Sequence, residues 1–286
     1  MKIECGKLCG FCSGVNYTIN KALEVLSNED DIYCLGQIVH NERVIKSLEE
    51  KGMVTVNNID DVPDNSKLII RAHGEVKDVF FAAKKRNIEI IDLTCGKIKV
   101  ILKKIEKEMD KSFIIIIGKK NHPETIGTLS YAGDNSSVVE DEDDILITNE
   151  KLKKSRLSRV YIVSQTTFSS RKFDELITKI KNVFDCNIDI VVDKTICDVT
   201  EKRQKEVFEL SSRVDKMIII GGKNSSNTKE LAKISKNNCD QSFLVQTKED
   251  LKNIVFSSED NVGIMAGAST PREIIDEVID YLNTLY

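Results

Sequence analysis

Three cysteines in related settings carry the first chemical signal of this 286-residue chain. Cys12 lies in Gly10-Phe11-Cys12-Ser13-Gly14-Val15, close to the N-terminus. Cys95 closes Ile90-Ile91-Asp92-Leu93-Thr94-Cys95, and Cys197 closes Ile190-Val191-Val192-Asp193-Lys194-Thr195-Ile196-Cys197. Each follows an apolar, strand-like run and precedes a helical period, such as Ile19, Ala22, Leu23, Val25 and Leu26 after the first. Ser13 is placed to cap that first helix. A thiol between a strand's carboxyl end and a helix N-terminus is biased toward thiolate by the helix dipole. A lone cysteine is most simply a small buried hydrophobe, so the repetition is what matters. Separations of 83 and 102 residues match small α/β domains. The pattern reads as one cysteine per unit, with three thiolates able to meet on one ligand. Cys34, Cys186 and Cys239 have no repeated context and read as packing or surface residues.

The exits of the other strand-like runs carry further polar groups, where open α/β sheets bind ligands. Leu68-Ile69-Ile70 leads to Ala72-His73-Gly74, and Phe113 to Ile117 leads to Asn121-His122-Pro123-Glu124. Tyr161-Ile162-Val163 leads to Ser164-Gln165-Thr166-Thr167, and Met217 to Ile220 leads to Lys223-Asn224-Ser225-Ser226-Asn227. Gly263-Ile264-Met265 leads to Ala266-Gly267-Ala268-Ser269-Thr270-Pro271. All three histidines of the chain, His40, His73 and His122, fall at such junctions. Ser225, Ser226 and Asn227 precede a helix whose unpaired N–H groups and dipole suit a phosphate. Pro271 suits the first turn of another helix, after Ser269 and Thr270. Glu124 is the one carboxylate within these motifs. Beside Thr166 or Thr167 it could relay a proton; as a surface residue in a helix's first turn it would do nothing of the kind. The set points to a small anionic substrate and a single acid.

The elements that must position these groups alternate strand and helix throughout. Strands are predicted at Ile32–Leu35, Val54–Val56, Lys67–Arg71, Ile88–Asp92, Phe113–Ile117, Ser137–Val139, Val160–Ser164, Ile188–Val192, Met217–Ile220, Phe243–Val245 and Val262–Met265. This alternation implies parallel sheets in α/β layers. So many short units exceed a single sheet of ordinary size, so several small domains are expected. The acidic run Glu140–Asp144 and the basic run Lys151–Arg159 read as solvated surface. A net charge of −4 gives no reason to expect a nucleic acid partner. The N-terminus lacks a signal-peptide apolar region and no apolar run reaches membrane length. Eight cysteines in that context argue for a reducing cytoplasm and for metal binding over a disulfide framework.

In order along the chain, Gly-Phe-Cys-Ser-Gly-Val, Val-His-Asn, Ala-His-Gly, Thr-Cys, His-Pro-Glu, Gln-Thr-Thr, Cys-x-x-Thr-x-x-Arg-Gln, Lys-Asn-Ser-Ser-Asn and Ala-Gly-Ala-Ser-Thr-Pro resemble the 4-hydroxy-3-methylbut-2-enyl diphosphate reductase family (IspH/LytB) of the non-mevalonate isoprenoid pathway. The resemblance spans roughly residues 1 to 282. It implies three small α/β domains in a pseudo-threefold arrangement around a central 4Fe–4S cluster. Expected boundaries are 14–96, 97–193 and 194–286, with residues 1–13 packing on the third domain. By the motif match, Cys12, Cys95 and Cys197 would hold the cluster, leaving one iron open. The implied reaction is a reductive dehydroxylation giving isopentenyl and dimethylallyl diphosphates, with electrons from a reduced ferredoxin or flavodoxin. Glu124 would deliver protons, helped by Thr166 and His122. His40, His73, His122, Ser225, Ser226, Asn227 and Ser269 would hold the diphosphate.

Two features depart from the family pattern. Gly96 follows Cys95 where the family usually has proline, and Cys5 and Cys9 are extra. Cys5-x3-Cys9-x2-Cys12 is the spacing of radical S-adenosylmethionine enzymes, but that reading leaves every downstream motif unexplained.

Overall fold

The computed structural model describes residues 1–28 and 32–286. Short parallel strands, mostly followed by helices, form three four-stranded sheets. The first contains β2 (Ile32–Leu35), β3 (Met53–Val56), β4 (Lys67–Ile70) and β5 (Glu89–Asp92), in the order β3-β2-β4-β5. The second contains β6 (Phe113–Ile117), β7 (Ser136–Val139), β8 (Arg159–Ser164) and β9 (Asp189–Val192), in the order β7-β6-β8-β9. The third contains β1 (Lys2–Cys5), β10 (Lys216–Ile220), β11 (Ser242–Val245) and β12 (Asn261–Ala266), in the order β1-β12-β10-β11.

All three repeat one topology. β2, β6 and β10 each lie between the next strand in sequence and the one after it, so the winding reverses between β2 and β4, between β6 and β8, and between β10 and β12. That reversal is where open α/β sheets leave a crevice for ligand. In the third sheet the fourth place is filled by β1, from the opposite end of the chain, with Ile3 opposite Val262. Each strand in the fourth position, β5, β9 and β1, leads within a few residues to Cys95, Cys197 or Cys12.

Sheets buried on both faces read as unbroken apolar runs, and β6 and β10 show it. Ile115 and Ile117 pack on Phe173, Leu176 and Ile180 of α7 (Ser170–Val183), while Ile114 and Ile116 pack on Ile101 and Ile105 of α4 (Gly96–Glu108). Ile218 and Ile220 meet Ile274, Ile275 and Val278 of α10 (Arg272–Asn283). On the other face, Met217 and Ile219 meet Val207 and Leu210 of α8 (Asp198–Ser211) and Leu231 of α9 (Ser226–Asn238). Burying each such side chain stabilises by roughly 1.5–3 kcal/mol, which makes these strands the rigid base of the loops they feed. In the first sheet Leu68 and Ile70 pack on Val79 and Ala83 of α3 (Lys77–Lys85). The remaining α-helices of the described residues are α1 (Ser13–Leu26), α2 (Glu42–Glu49), α5 (Pro123–Leu129) and α6 (Asp143–Ser155).

The described chain forms two compact units, which do not follow the sheets one for one. One comprises Met1–Asn20, Val39–Glu50 and Asp198–Tyr286 and holds the third sheet; the other comprises Lys21–Ile38 and Lys51–Cys197 and holds the first and second. The acidic run at 140–144 is more than solvated surface. Asp144 is buried, accepts the N–H groups of Glu140 and Asp141 and pairs with Lys120, so it pins the turn out of β7. Asp250 does the same after β11 for Gln246 and Thr247. No described helix is long and apolar enough to cross a membrane.

Candidate active site

In the unit with two sheets, β6 and β8 are neighbours at the reversal point, with Ile117 opposite Ser164. Beyond Ile117 the chain turns into α5, capped by His122, whose Nδ1 accepts the Glu124 N–H at 3.1 Å. Beyond Ser164, Gln165 ties the two exits together, its Oε1 accepting the Lys119 N–H at 3.0 Å. Thr166 then meets Glu124 twice: its N–H donates to Oε1 at 2.5 Å and its hydroxyl to Oε2 at 2.8 Å. Glu124 is 2 % exposed, which removes the surface-glutamate alternative. Burial pushes its carboxyl up to about 7, against the two hydrogen bonds from Thr166 that favour the ionised form. Thr167 is otherwise engaged, its hydroxyl accepting from the Gln165 side chain at 2.7 Å.

Cys95 and Cys197, both in this unit, attach to the same network. The Cys197 N–H donates to the Thr166 carbonyl at 2.9 Å, and the Cys95 N–H to the Ala72 carbonyl at 3.0 Å. His73, next along, sets its ring edge-to-face on His122, with centroids 5.6 Å apart. Lys97, in the first turn of α4, reaches Cys197 Sγ at 3.5 Å. The structure therefore joins His73, Cys95, His122, Glu124, Thr166 and Cys197. Lys97 escaped the reading from sequence, and only its place two residues after Cys95 could have flagged it. The Asp and Thr shared by the second and third cysteine motifs also acquire a role. Asp92 accepts the Thr94 N–H at 3.0 Å, Asp193 accepts from Tyr161 at 2.5 Å, and Thr195 Oγ1 accepts the Ser164 N–H at 2.7 Å. They hold the loops that present the cysteines.

In the other unit, Cys12 rather than Ser13 caps α1. Ser13 is the helix's first residue, and Cys12 Sγ accepts the Val15 N–H at 3.4 Å. The Cys12 N–H donates to the Ala268 carbonyl at 3.3 Å, tying the loop to the exit of β12. Strands β10 and β12 are neighbours at this sheet's reversal point. Ser225 caps α9 by accepting the Thr228 N–H at 3.3 Å, with Ser226 and Asn227 in the first turn. Asn227 is 4 % exposed and its Nδ2 has no hydrogen-bond partner. A buried amide donor without an acceptor is costly, so the position suits an anion. Ser269, after β12, lies with its hydroxyl 3.5 Å from the His40 carbonyl. The same carbonyl would be 2.3 Å from a Cβ at Gly222, so only glycine lets the β10 exit pass His40 this closely. Pro271 stands at the N-cap of α10, one place before the first turn expected for it. His40, Ser225, Ser226, Asn227 and Ser269 thus surround the exits of β10 and β12.

A family model described as LytB protein matches residues 3–283. The chain belongs to the LytB family. It is 38% identical to the 4-hydroxy-3-methylbut-2-enyl diphosphate reductase of Petrotoga mobilis, over 99% of this chain and 98% of the relative. It is 39% identical to the reductase of Campylobacter hominis, over the whole of both. Among solved structures, one of (E)-4-hydroxy-3-methyl-but-2-enyl diphosphate reductase, the terminal enzyme of the non-mevalonate pathway, matches with TM-score 0.71 and 35% identity, covering 99% of both chains. That of the Plasmodium falciparum E-1-hydroxy-2-methyl-but-2-enyl-4-diphosphate reductase matches with TM-score 0.85 and 30% identity, covering 99% of this chain and 87% of that one.

Membership of the LytB family makes sense of Gly96. It is the first residue of α4, after Cys95 at φ −53° and ψ 133°, and a Cβ there would meet nothing within 4 Å. That is the helical position at which proline is best tolerated, preceded by the backbone conformation proline demands.

Proposed function

We propose that this chain reduces 4-hydroxy-3-methylbut-2-enyl diphosphate to isopentenyl and dimethylallyl diphosphates, with loss of the hydroxyl as water. The observation that carries the reading is Glu124, a buried carboxyl held near neutrality by burial and fixed by Thr166. A general acid works best when its pKa lies near the working pH.

Cys12, Cys95 and Cys197 are the candidates to hold a 4Fe–4S cluster. Each is half-buried at the start of a helix, where a ligand can reach the sulfur. Cys34 stands in contrast, fully buried and with its thiol pushed up to about 12. Bound there, such a cluster would supply single electrons and Lewis acidity toward the hydroxyl. The chain's residues do the rest. Glu124 holds a proton for the departing oxygen, and Thr166 keeps its carboxyl in one orientation. Because His122 Nδ1 accepts the Glu124 N–H, the neutral ring carries its proton on Nε2, a donor for an anionic oxygen. Ser225, Ser226, Asn227, Ser269, His40 and His73 are the candidates to hold the diphosphate, with the positive end of α9 favouring its charge. A reduced ferredoxin or flavodoxin would deliver the electrons. That Cys5, Cys9, Cys12, Cys34, Cys95, Cys186, Cys197 and Cys239 all stand as free thiols supports a reducing, cytoplasmic setting.

The test is anaerobic. Protein reconstituted with iron and sulfide is mixed with reduced methyl viologen, and dye oxidation is followed on adding hydroxymethylbutenyl diphosphate. Substrate-dependent oxidation that disappears in Cys197→Ser is expected. A full cluster with no oxidation would overturn the reading.

A further inference from the structure

The two cysteines outside the family pattern face each other. Cys5 ends β1 and Cys9 follows a three-residue turn, and their Sγ atoms lie 3.6 Å apart. Both are half-buried at the edge of the core packed around Ile264 and Ile275. The backbone on either side of the pair is fixed. Cys5 is paired with Ile264 in the sheet, and Cys9 Sγ lies 3.7 Å from the Ile264 carbonyl. Between them, the Lys7 and Leu8 N–H groups both donate to the Glu206 carboxylate, at 2.6 and 3.0 Å. Gly6 lets the turn pass close to β12, since a Cβ there would come within 2.0 Å of Met265 Sδ. Cys12 is separately engaged in capping α1, so the Cys5-x3-Cys9-x2-Cys12 spacing divides into a facing pair and a lone cap.

We propose that Cys5 and Cys9 form a reversible disulfide, a thiol-modification site at the start of the loop that carries Cys12. The pair is chemically unequal. The hydrogen bond shared with Cys9 holds the Cys5 thiol below its ordinary range, aided by the Arg272 guanidinium and opposed by burial and by the Glu206 and Asp276 carboxylates. The same bond, with burial, holds the Cys9 thiol well above its range. Cys5 is therefore the attacking sulfur. With a low-molecular-weight disulfide as oxidant, the Cys5 thiolate attacks one of its sulfurs, the S–S bond breaks, and one thiol leaves. Cys9 then attacks the Cys5 sulfur of the mixed disulfide, surrendering its proton to the second leaving thiol. Two cysteine thiols are oxidised to one disulfide, and the oxidant is reduced to two thiols. The ring is small and its ends are already held by the sheet, so the bond adds little chain constraint and is readily reversed.

The experiment uses the full-length chain prepared anaerobically, exposed to oxidised glutathione, quenched with iodoacetamide and digested with trypsin without reduction. Cleavage after Lys7 leaves Cys5 and Cys9 on different peptides. The expected product is the 3–7 peptide joined to the 8–21 peptide through Cys9, lighter by two hydrogens than the separate thiols and split by dithiothreitol. It should form at least about fivefold faster than glutathione adds to the exposed Cys186. In Cys9→Ser, a glutathione adduct should accumulate on Cys5 that the natural chain resolves. Carbamidomethyl groups on both Cys5 and Cys9 after oxidation, or a link from either to Cys12, would overturn the proposal. So would a Cys9→Ser chain modified at Cys186 but not at Cys5.

Discussion

After β6 and after β10 the chain does nearly the same thing and arrives at different chemistry. Each strand is wholly buried, each exit runs through glycine and lysine, and each following helix is capped by a side chain, His122 in one case and Ser225 in the other. The second residue of the helix is Glu124 after β6 and Asn227 after β10, and both are buried. Glu124 finds the Thr166 hydroxyl and N–H, and burial raises its proton affinity to about neutrality. Asn227 keeps an amide nitrogen with no partner. One position on one kind of scaffold thus carries a carboxyl suited to proton transfer in the first case and an unmet donor suited to an anion in the second. What differs is the side chain and the company the neighbouring strand brings to it.

Exchanging these chemistries breaks the comparison most sharply. Glu124→Gln turns the acid into the amide of its counterpart. Turnover in the methyl viologen assay should fall by ~10²–10⁴-fold, the usual worth of a positioned general acid, with the cluster's visible absorbance kept. Near-normal turnover would take Glu124 out of the mechanism. Asn227→Asp makes the converse change and sets a carboxylate against the diphosphate. A rise in KM of about 10²-fold is expected, with a much smaller loss in kcat; an unchanged KM would move the anion site elsewhere.

The proton affinity of Glu124 can be shifted rather than abolished. Because the acid must begin protonated, turnover should fall as pH rises through about 7. Thr166→Val removes a hydrogen bond to the ionised form, so the fall should move to higher pH by up to ~1 unit. A profile unmoved in that variant would show that another group titrates. The same group leaves a mark on stability. Its folded pKa of about 7 lies above the ordinary 4.5, so the stabilisation is full below about pH 4.5 and is lost as pH rises through about 7. Melting curves of Glu124→Gln should lack that loss and lie above those of the natural chain at pH 8.

The smallest effect tests how the cysteine loops are built. Gly96→Pro should stabilise the chain by about 0.4–1 kcal/mol through the unfolded state, read as a rise in denaturation midpoint. Destabilisation would mean that the Cys95 loop needs the freedom of glycine.

Much of this molecule was legible in the sequence. The eleven proposed strands appear within a residue or so at either end, because β-branched runs flanked by turn residues state their own structure. The exit motifs are local as well, since a cap or a histidine beside a strand end needs no distant partner. The acidic run is less legible, because Asp144 looks like any surface acid until the turn from β7 folds its N–H groups onto it. Ser13 yielded to Cys12 for a similar reason, as one residue of register decides which side chain reaches Val15.

By itself, then, the sequence determined the alternation of strand and helix, the three cysteines at helix starts, and the set of polar groups at strand exits. All of these follow from periodicities and end effects spanning a few residues. The tertiary structure alone decided the strand order that puts each sheet's reversal between the strands bearing those groups, with β1 completing a sheet of distant strands. It also decided that Glu124 is buried against Thr166, 42 residues away, and that Asn227 is enclosed with a donor to spare. Proton affinity and unmet hydrogen bonds depend on what surrounds a group in space, and neighbours in sequence do not reveal it.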